Sequence, residues 1–199
     1  FDAGENIPGN ECRVTYGIRK DGALTIHMEY EADEKIKTHE MPEFGMLLRI
    51  PEQYDKVTYY GYGPEENYWD RRQGSRLGKF HFSVKENLSE YLAPQESGGR
   101  SGVREAVIED ENGYGLRISA EEMDFSALPY TPHELENARH LYELPDSEYT
   151  ILRPSLHQMG VGGDDSWLSK PHPQYRMEQP GKYEFTFTLK GGKKLETDK

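Results

Sequence analysis

The residues with the most chemistry in them stand together at Leu156-His157-Gln158-Met159-Gly160-Val161-Gly162-Gly163-Asp164-Asp165-Ser166-Trp167. Gly160, Gly162 and Gly163 let the backbone take positive φ and approach other groups closely. They lead into two adjacent carboxylates, a hydroxyl and an indole. Polar and aromatic groups on such a segment suit a binding loop displayed at the rim of a rigid sheet. The competing reading is a structural turn, in which Asp164 and Asp165 close backbone hydrogen bonds and Trp167 fills a core. Catalysis is a separate question. Hydrolysis of a glycoside needs two carboxylates facing each other, about 5 Å apart for retention or about 6.5–9.5 Å for inversion. Consecutive acids in an extended backbone point opposite ways, so Asp164 and Asp165 do not form such a pair by themselves.

Other constellations are weaker. Gly61-Tyr62-Gly63-Pro64-Glu65-Glu66-Asn67-Tyr68-Trp69-Asp70-Arg71-Arg72-Gln73-Gly74 mixes rings and charges with no period. No helix pattern follows to give its glycines a phosphate-gripping dipole. It reads as a long ordered loop held by acid and arginine pairs, with Arg71, Arg100 or Arg104 bonded to acids such as Glu65, Glu66, Asp70 or Glu96. The histidines, His27, His39, His81, His133, His140, His157 and His172, show no metal-ligand spacing, so no metal site is expected. His81 and His140 fall at strand positions and read as structural. No Gly-x-Ser-x-Gly elbow occurs, and the single Cys12 excludes an internal disulfide or a cysteine-based zinc site. The chain thus offers a binding loop without a visible catalytic set.

A net charge of -12 over 199 residues argues against nucleic acid or an anionic membrane as partner. No apolar run approaches the roughly 20 residues of a membrane span, and the start Phe-Asp-Ala-Gly-Glu lacks the features of a signal peptide. A chain starting at Phe1 reads as a piece of something longer. Compartment is left open between cytoplasm and periplasm.

The elements that must carry the loop are strands. Val14, Tyr16 and Ile18, then Leu24, Ile26, Met28 and Tyr30, alternate around Lys20-Asp21-Gly22, a hairpin signal. Phe44 to Ile50 alternates up to Pro51, and Val57–Tyr60, Phe80–Val84, Val103–Glu109, Tyr114–Ala120 and Glu148–Leu152 read as further strands. Met123–Leu128 continues extended, and Asn87–Gly102 reads as a loop. His140, Tyr142 and Leu144 show strand spacing, and Tyr183 to Leu189 alternates strictly. Thr131-Pro132-His133-Glu134 is a capping box opening one short helix, Pro132–Ala138. The expectation is all-β: one domain over 1–199, a large antiparallel β-sandwich of about ten strands with one short helix, its ends 1–11 and 191–199 flexible.

Four of these stretches, in order, resemble the C-terminal or small-chain domain of the large bacterial beta-galactosidases of glycoside hydrolase family 2. They are Gly61, Gly63, Pro64, Glu66, Asn67 and Tyr68 with Asp70 and Arg71; Pro94 to Arg100, including Glu96, with Arg104; Tyr130 to Leu135; and His157 to Trp167. His157 stands where the motif is often aromatic, and Trp69 where proline is frequent. The resemblance implies a supersandwich like that of galactose mutarotases, joined in the parent enzyme to a TIM barrel that holds both catalytic glutamates of a retaining hydrolase. By motif, Trp167 is implied to stack on the substrate sugar with Asp164, Asp165 and Ser166 supporting its loop, while catalytic residues lie elsewhere. No cofactor is implied for this chain, the family's magnesium and sodium ions belonging to other domains. Implied partners are the remaining domains, a terminal beta-galactoside such as lactose, and further copies of the parent enzyme. Two rivals use the same sandwich: a stand-alone aldose epimerase, which needs a glutamate and two histidines in one pocket, and an independent carbohydrate-binding module.

Overall fold

The computed structural model describes residues 10–33, 35, 40–165, 167–178 and 180–195 of the 199. Residues 1–9 and 196–199 of the two expected flexible ends lie outside the described residues.

The hairpin pattern forms β1 (Glu11–Ile18) and β2 (Leu24–Glu31), antiparallel from Ile18 against Leu24 to Glu11 against Glu31. Its turn uses Gly22 at φ +80°, a conformation that costs glycine nothing. β3 (Glu43–Gly45) and β4 (Leu48–Pro51) follow, then β5 (Lys56–Gly63), β6 (Arg76–Ser83), β7 (Arg100–Glu109) and β8 (Tyr114–Leu128). After α1 (Pro132–Asn137) come β9 (Tyr149–Gln158) and β10 (Lys182–Lys193). The main path runs β1-β2-β10-β8-β7-β5-β6, every pairing antiparallel.

The long strand β8 divides the sheet into two layers. Its first part, Tyr114–Ser119, pairs with β10, and its last part, Asp124–Leu128, pairs with β9, which in turn carries β3 and β4. Period-two alternation then puts one apolar face inward along the whole path. Met28 lies beside Phe185 and Ile26 beside Phe187, Leu189 beside Ile118, and Ile118 beside Ala106. From the other layer, Phe44 sets its ring 6.2 Å from Tyr30 and 5.9 Å from Tyr183, so β3 and β9 cover β2 and β10. The result is an all-β antiparallel sandwich with one short α-helix among the described residues.

Several boundaries differ from the sequence reading, each for a local reason. Phe44–Ile50 splits into two strands because the register on β9 shifts between Phe44 and Gly45. There the backbone presses on β9: a Cβ at Gly45 would lie 2.5 Å from that of Ser155. β5 extends through Gly61 to Gly63, since the missing side chain at Gly61 lets Val103 of β7 approach to 2.8 Å of where a Cβ would stand. β7 likewise begins at Arg100, three residues inside the expected loop. His140, Tyr142 and Leu144 are not strand residues. Leu141–Glu143 is a 3-10 turn, beside which Arg139 N–H donates to Glu143 Oε2 at 2.7 Å, with the exposed His140 and Tyr142 rings stacked on each other. At the far end Gly191, Gly192 and Lys193, expected to be loose, pair with Leu116, Gly115 and Tyr114, because β8 supplies a ladder that long. Glu11, too, is already in β1.

Candidate functional site

Two motif segments form the floor beneath the glycine-rich loop. Where the chain leaves β5, Asn67 is 1% exposed and spends its whole side chain on backbone and hydroxyl partners. Its Nδ2 donates to the carbonyls of Tyr62 and Glu65, both at 2.9 Å, and its Oδ1 accepts from Ser101 N–H at 3.0 Å and Ser101 Oγ at 2.6 Å. Glu66 accepts four bonds: from Arg71 Nη2 at 2.5 Å, Tyr91 OH at 2.6 Å, Ser89 Oγ at 2.8 Å and Gly98 N–H at 2.6 Å. Tyr68 packs over Gly99, where a Cβ would stand 2.5 Å from the ring, and donates to Glu96 Oε1 at 3.3 Å. Burial pushes its hydroxyl pKa far up, with Glu96 and Glu66 adding to the effect. These bonds, the ones to Glu66 charge-assisted, order an irregular segment that has no ladder of its own.

The arginines divide their work differently from expectation. Arg71 pairs with Glu66 as the composition suggested. Among the described residues Arg100 has no carboxylate as a hydrogen-bond acceptor; it donates to Tyr59 OH at 3.1 Å, Asn87 Oδ1 at 2.9 Å and Gly99 O at 2.9 Å, for neutral acceptors are what its buried position offers. Arg104 reaches Glu122 at 3.3 Å on the neighbouring strand. Glu96 is taken instead by Arg153, which the sequence reading missed. Arg153 is 5% exposed and lies between Glu43 at 2.7 Å and Glu96 at 2.8 Å. The two carboxylates hold its pKa above the ordinary guanidinium value even against the cost of burial.

A tight turn brings this floor to the loop. Arg71 N–H donates to Tyr68 O at 2.7 Å and Tyr68 N–H returns to Arg71 O at 3.4 Å, so Trp69 and Asp70 stand at the tip. Trp69 lies flat on His157, ring centroids 4.5 Å apart and 17° from parallel, and meets Tyr175 edge-on at 5.8 Å. Leu156, His157 and Gln158 belong to β9, so the irregular loop starts only at Met159. From there Met159 N–H donates to Pro42 O at 2.8 Å, Gly160 N–H to Tyr175 O at 2.7 Å and Gly162 N–H to Asp70 Oδ2 at 3.1 Å. Gly160 is required by contact: a Cβ would stand 2.7 Å from Asp70 Oδ2 and 3.0 Å from Tyr175 Cβ.

At the loop's tip Asp165 Oδ1 accepts the N–H of Trp167 at 2.7 Å, and this bond, first among its causes, holds the Asp165 carboxyl below the usual aspartate range. Asp164 turns the other way, its Oδ1 2.7 Å from His172 Nε2. Two neighbouring acids thus bond two different groups, an imidazole and a backbone N–H, and form no facing pair. Ser166 lies outside the described residues. Trp167 is 86% exposed, which overturns the reading that it fills a core. The turn reading nevertheless holds for Asp165, whose side chain closes a backbone bond two residues on.

No group of three or more His, Cys, Asp or Glu side chains placed to hold a metal occurs among the described residues. A groove beside the turn, lined by Glu65, Glu66, Asp70, Arg71 and Arg72 among others, contains carboxylates but, among the described residues, no histidine. A second groove across β1, β2 and β10, lined by Glu29, Tyr30 and Glu184, contains none either. The glutamate-plus-two-histidine set of an epimerase is assembled in neither. What the site can do is present a flat, open indole beside polar groups at the rim of a rigid sheet.

Residues 2–189 match the family described as beta galactosidase small chain. The beta-galactosidase of Priestia megaterium is 44% identical over 180 residues, covering 90% of this chain and 17% of that protein. That of Halalkalibacterium halodurans is 41% identical over 182 residues, 90% of this chain and 18% of the other. That of Vibrio cholerae is 33% identical over 178 residues, 89% and 16%. The chain spans less than a fifth of the length of these curated relatives.

Proposed function

The chain belongs to the beta-galactosidase small-chain family, and from that premise we infer that it is the noncatalytic C-terminal sandwich of a beta-galactosidase, supplying Trp167 to a sugar pocket whose reacting groups come from elsewhere in the longer protein. The observation that carries this reading is the open indole of Trp167 on a loop whose backbone is tied at Met159, Gly160, Gly162 and Trp167. A pyranose has one face rich in C–H groups, and an exposed indole can remove that patch from water, while a loop already tied through its backbone lowers the entropic cost of doing so.

The parent enzyme would act on terminal beta-galactosides such as lactose, with retention, as a member of glycoside hydrolase family 2. A double displacement needs an acid and a nucleophile about 5 Å apart across the bond. Asp164 and Asp165 are occupied by His172 and by the Trp167 amide and do not face each other, which supports placing that pair in a separate barrel domain. The sandwich would then contribute binding and subunit contacts. The test is to incubate this chain alone with a chromogenic galactoside beside the longer polypeptide that carries it. Turnover by the longer protein only is the expected result; turnover by the chain alone that survives repurification and disappears with one acidic residue would overturn the reading.

A further inference from the structure

We propose that Asp70 is the positioning residue of the Trp167 loop: its carboxylate holds the loop's glycine backbone at one height above the sheet and so fixes where the indole stands. The inference rests on the reading that Trp167 faces the sugar, and adds to it the group that sets its place. Asp70 sits at the tip of the Tyr68–Arg71 turn, on a floor fastened by Glu66 and Asn67. The two arginines that follow it are engaged elsewhere: Arg71 pairs with Glu66 and lies over the Tyr68 ring, and Arg72 lies over the Tyr62 ring, 4.8 Å from its centroid. Among the described residues, Asp70 makes one hydrogen bond, from Gly162 N–H to Oδ2 at 3.1 Å, and no ion pair. The same oxygen also bears on Gly160, whose missing Cβ leaves just enough room for it. A carboxylate accepts an amide N–H more strongly than a neutral group does. Asp70 therefore acts on the loop at two of its three glycines and on little else.

Structural and positioning roles separate in a two-part measurement on Asp70→Ala, Asp70→Asn and Gly160→Ala. In this chain, hydrogen exchange at the Gly162 amide is expected to rise about tenfold in Asp70→Ala, the size of one lost hydrogen bond to a charged acceptor, with β5 and β7 amides unmoved. Asp70→Asn keeps an oxygen acceptor and is expected to restore most of the protection. Gly160→Ala, which forces the carboxylate away, is expected to resemble Asp70→Ala. In the longer beta-galactosidase, Asp70→Ala is expected to raise KM for a galactoside about tenfold with a smaller change in kcat, and Asp70→Asn to recover it. Unchanged exchange at Gly162 overturns the positioning role, and so does a rise spread equally over β5 and β7. Faster exchange at Gly162 with unchanged KM leaves Asp70 as the loop's anchor and overturns the placing of Trp167 against the substrate.

Discussion

Trp69 and His157 lie face to face at 4.5 Å, one from the turn after β5 and the other from the end of β9. An indole on the turn and an imidazole on the strand thus form one stack, with the Tyr175 ring against the edge of Trp69.

That stack is expected to behave as a unit. Trp69→Ala and His157→Ala, measured singly and together by denaturant melting, should couple by about 0.5–1.5 kcal/mol, the range for contacting rings beyond their burial. Strict additivity within about 0.3 kcal/mol would show that the contact contributes no coupling of its own.

Arg153 should be among the most sensitive positions of the fold. Its guanidinium neutralises Glu43 and Glu96, and removing it leaves two carboxylates facing each other at a largely buried site. Arg153→Ala is expected to cost about 3–5 kcal/mol in equilibrium unfolding. Arg153→Lys should recover only part of this, since an ammonium cannot serve both acids with a planar fork. A loss below about 1 kcal/mol for Arg153→Ala would contradict the account.

The turn that carries Trp167 should be insensitive to pH until strong acid. Asp165 has its carboxyl pKa held below the ordinary aspartate value by the Trp167 N–H. A depressed folded-state pKa gives stabilisation that is complete above the unfolded value, about 3.9, and is lost as pH falls through the lower, folded one. The Trp167 amide resonance is therefore expected to stay fixed from neutrality down to about pH 4 and to move only below it. Movement centred between about pH 5 and 7 would contradict the assignment of the turn to Asp165.

Much of the scaffold was legible in the chain because its signals are local. Period two marks β2 and the start of β10, and the capping box at Thr131 forms as read, Glu134 N–H donating to Thr131 Oγ1 at 3.2 Å and Thr131 N–H to Glu134 Oε2 at 2.7 Å. What was missed depends on residues far apart. The pairing of Arg153 is not local, because its acids stand 110 and 57 residues away; its place directly after the apolar Ile151-Leu152 was the one available clue. His140 to Leu144 satisfied strand spacing with no ladder to join, and Gly191 to Lys193 looked like a tail until β8 supplied one. At the candidate site the glycines, acids and tryptophan could be named from sequence. That Asp70 reaches across 92 residues to hold them could not.

The most direct test of the central claim is Trp167→Ala, with Trp167→Phe beside it, measured by melting of this chain and by steady-state kinetics, on a galactoside, of the longer polypeptide that carries it. An exposed indole that binds sugar should change the chain's stability by less than about 0.5 kcal/mol, while KM rises about tenfold in the alanine variant and less in phenylalanine. A stability loss of about 3–5 kcal/mol with an unchanged KM would contradict the account and leave Trp167 a packing residue.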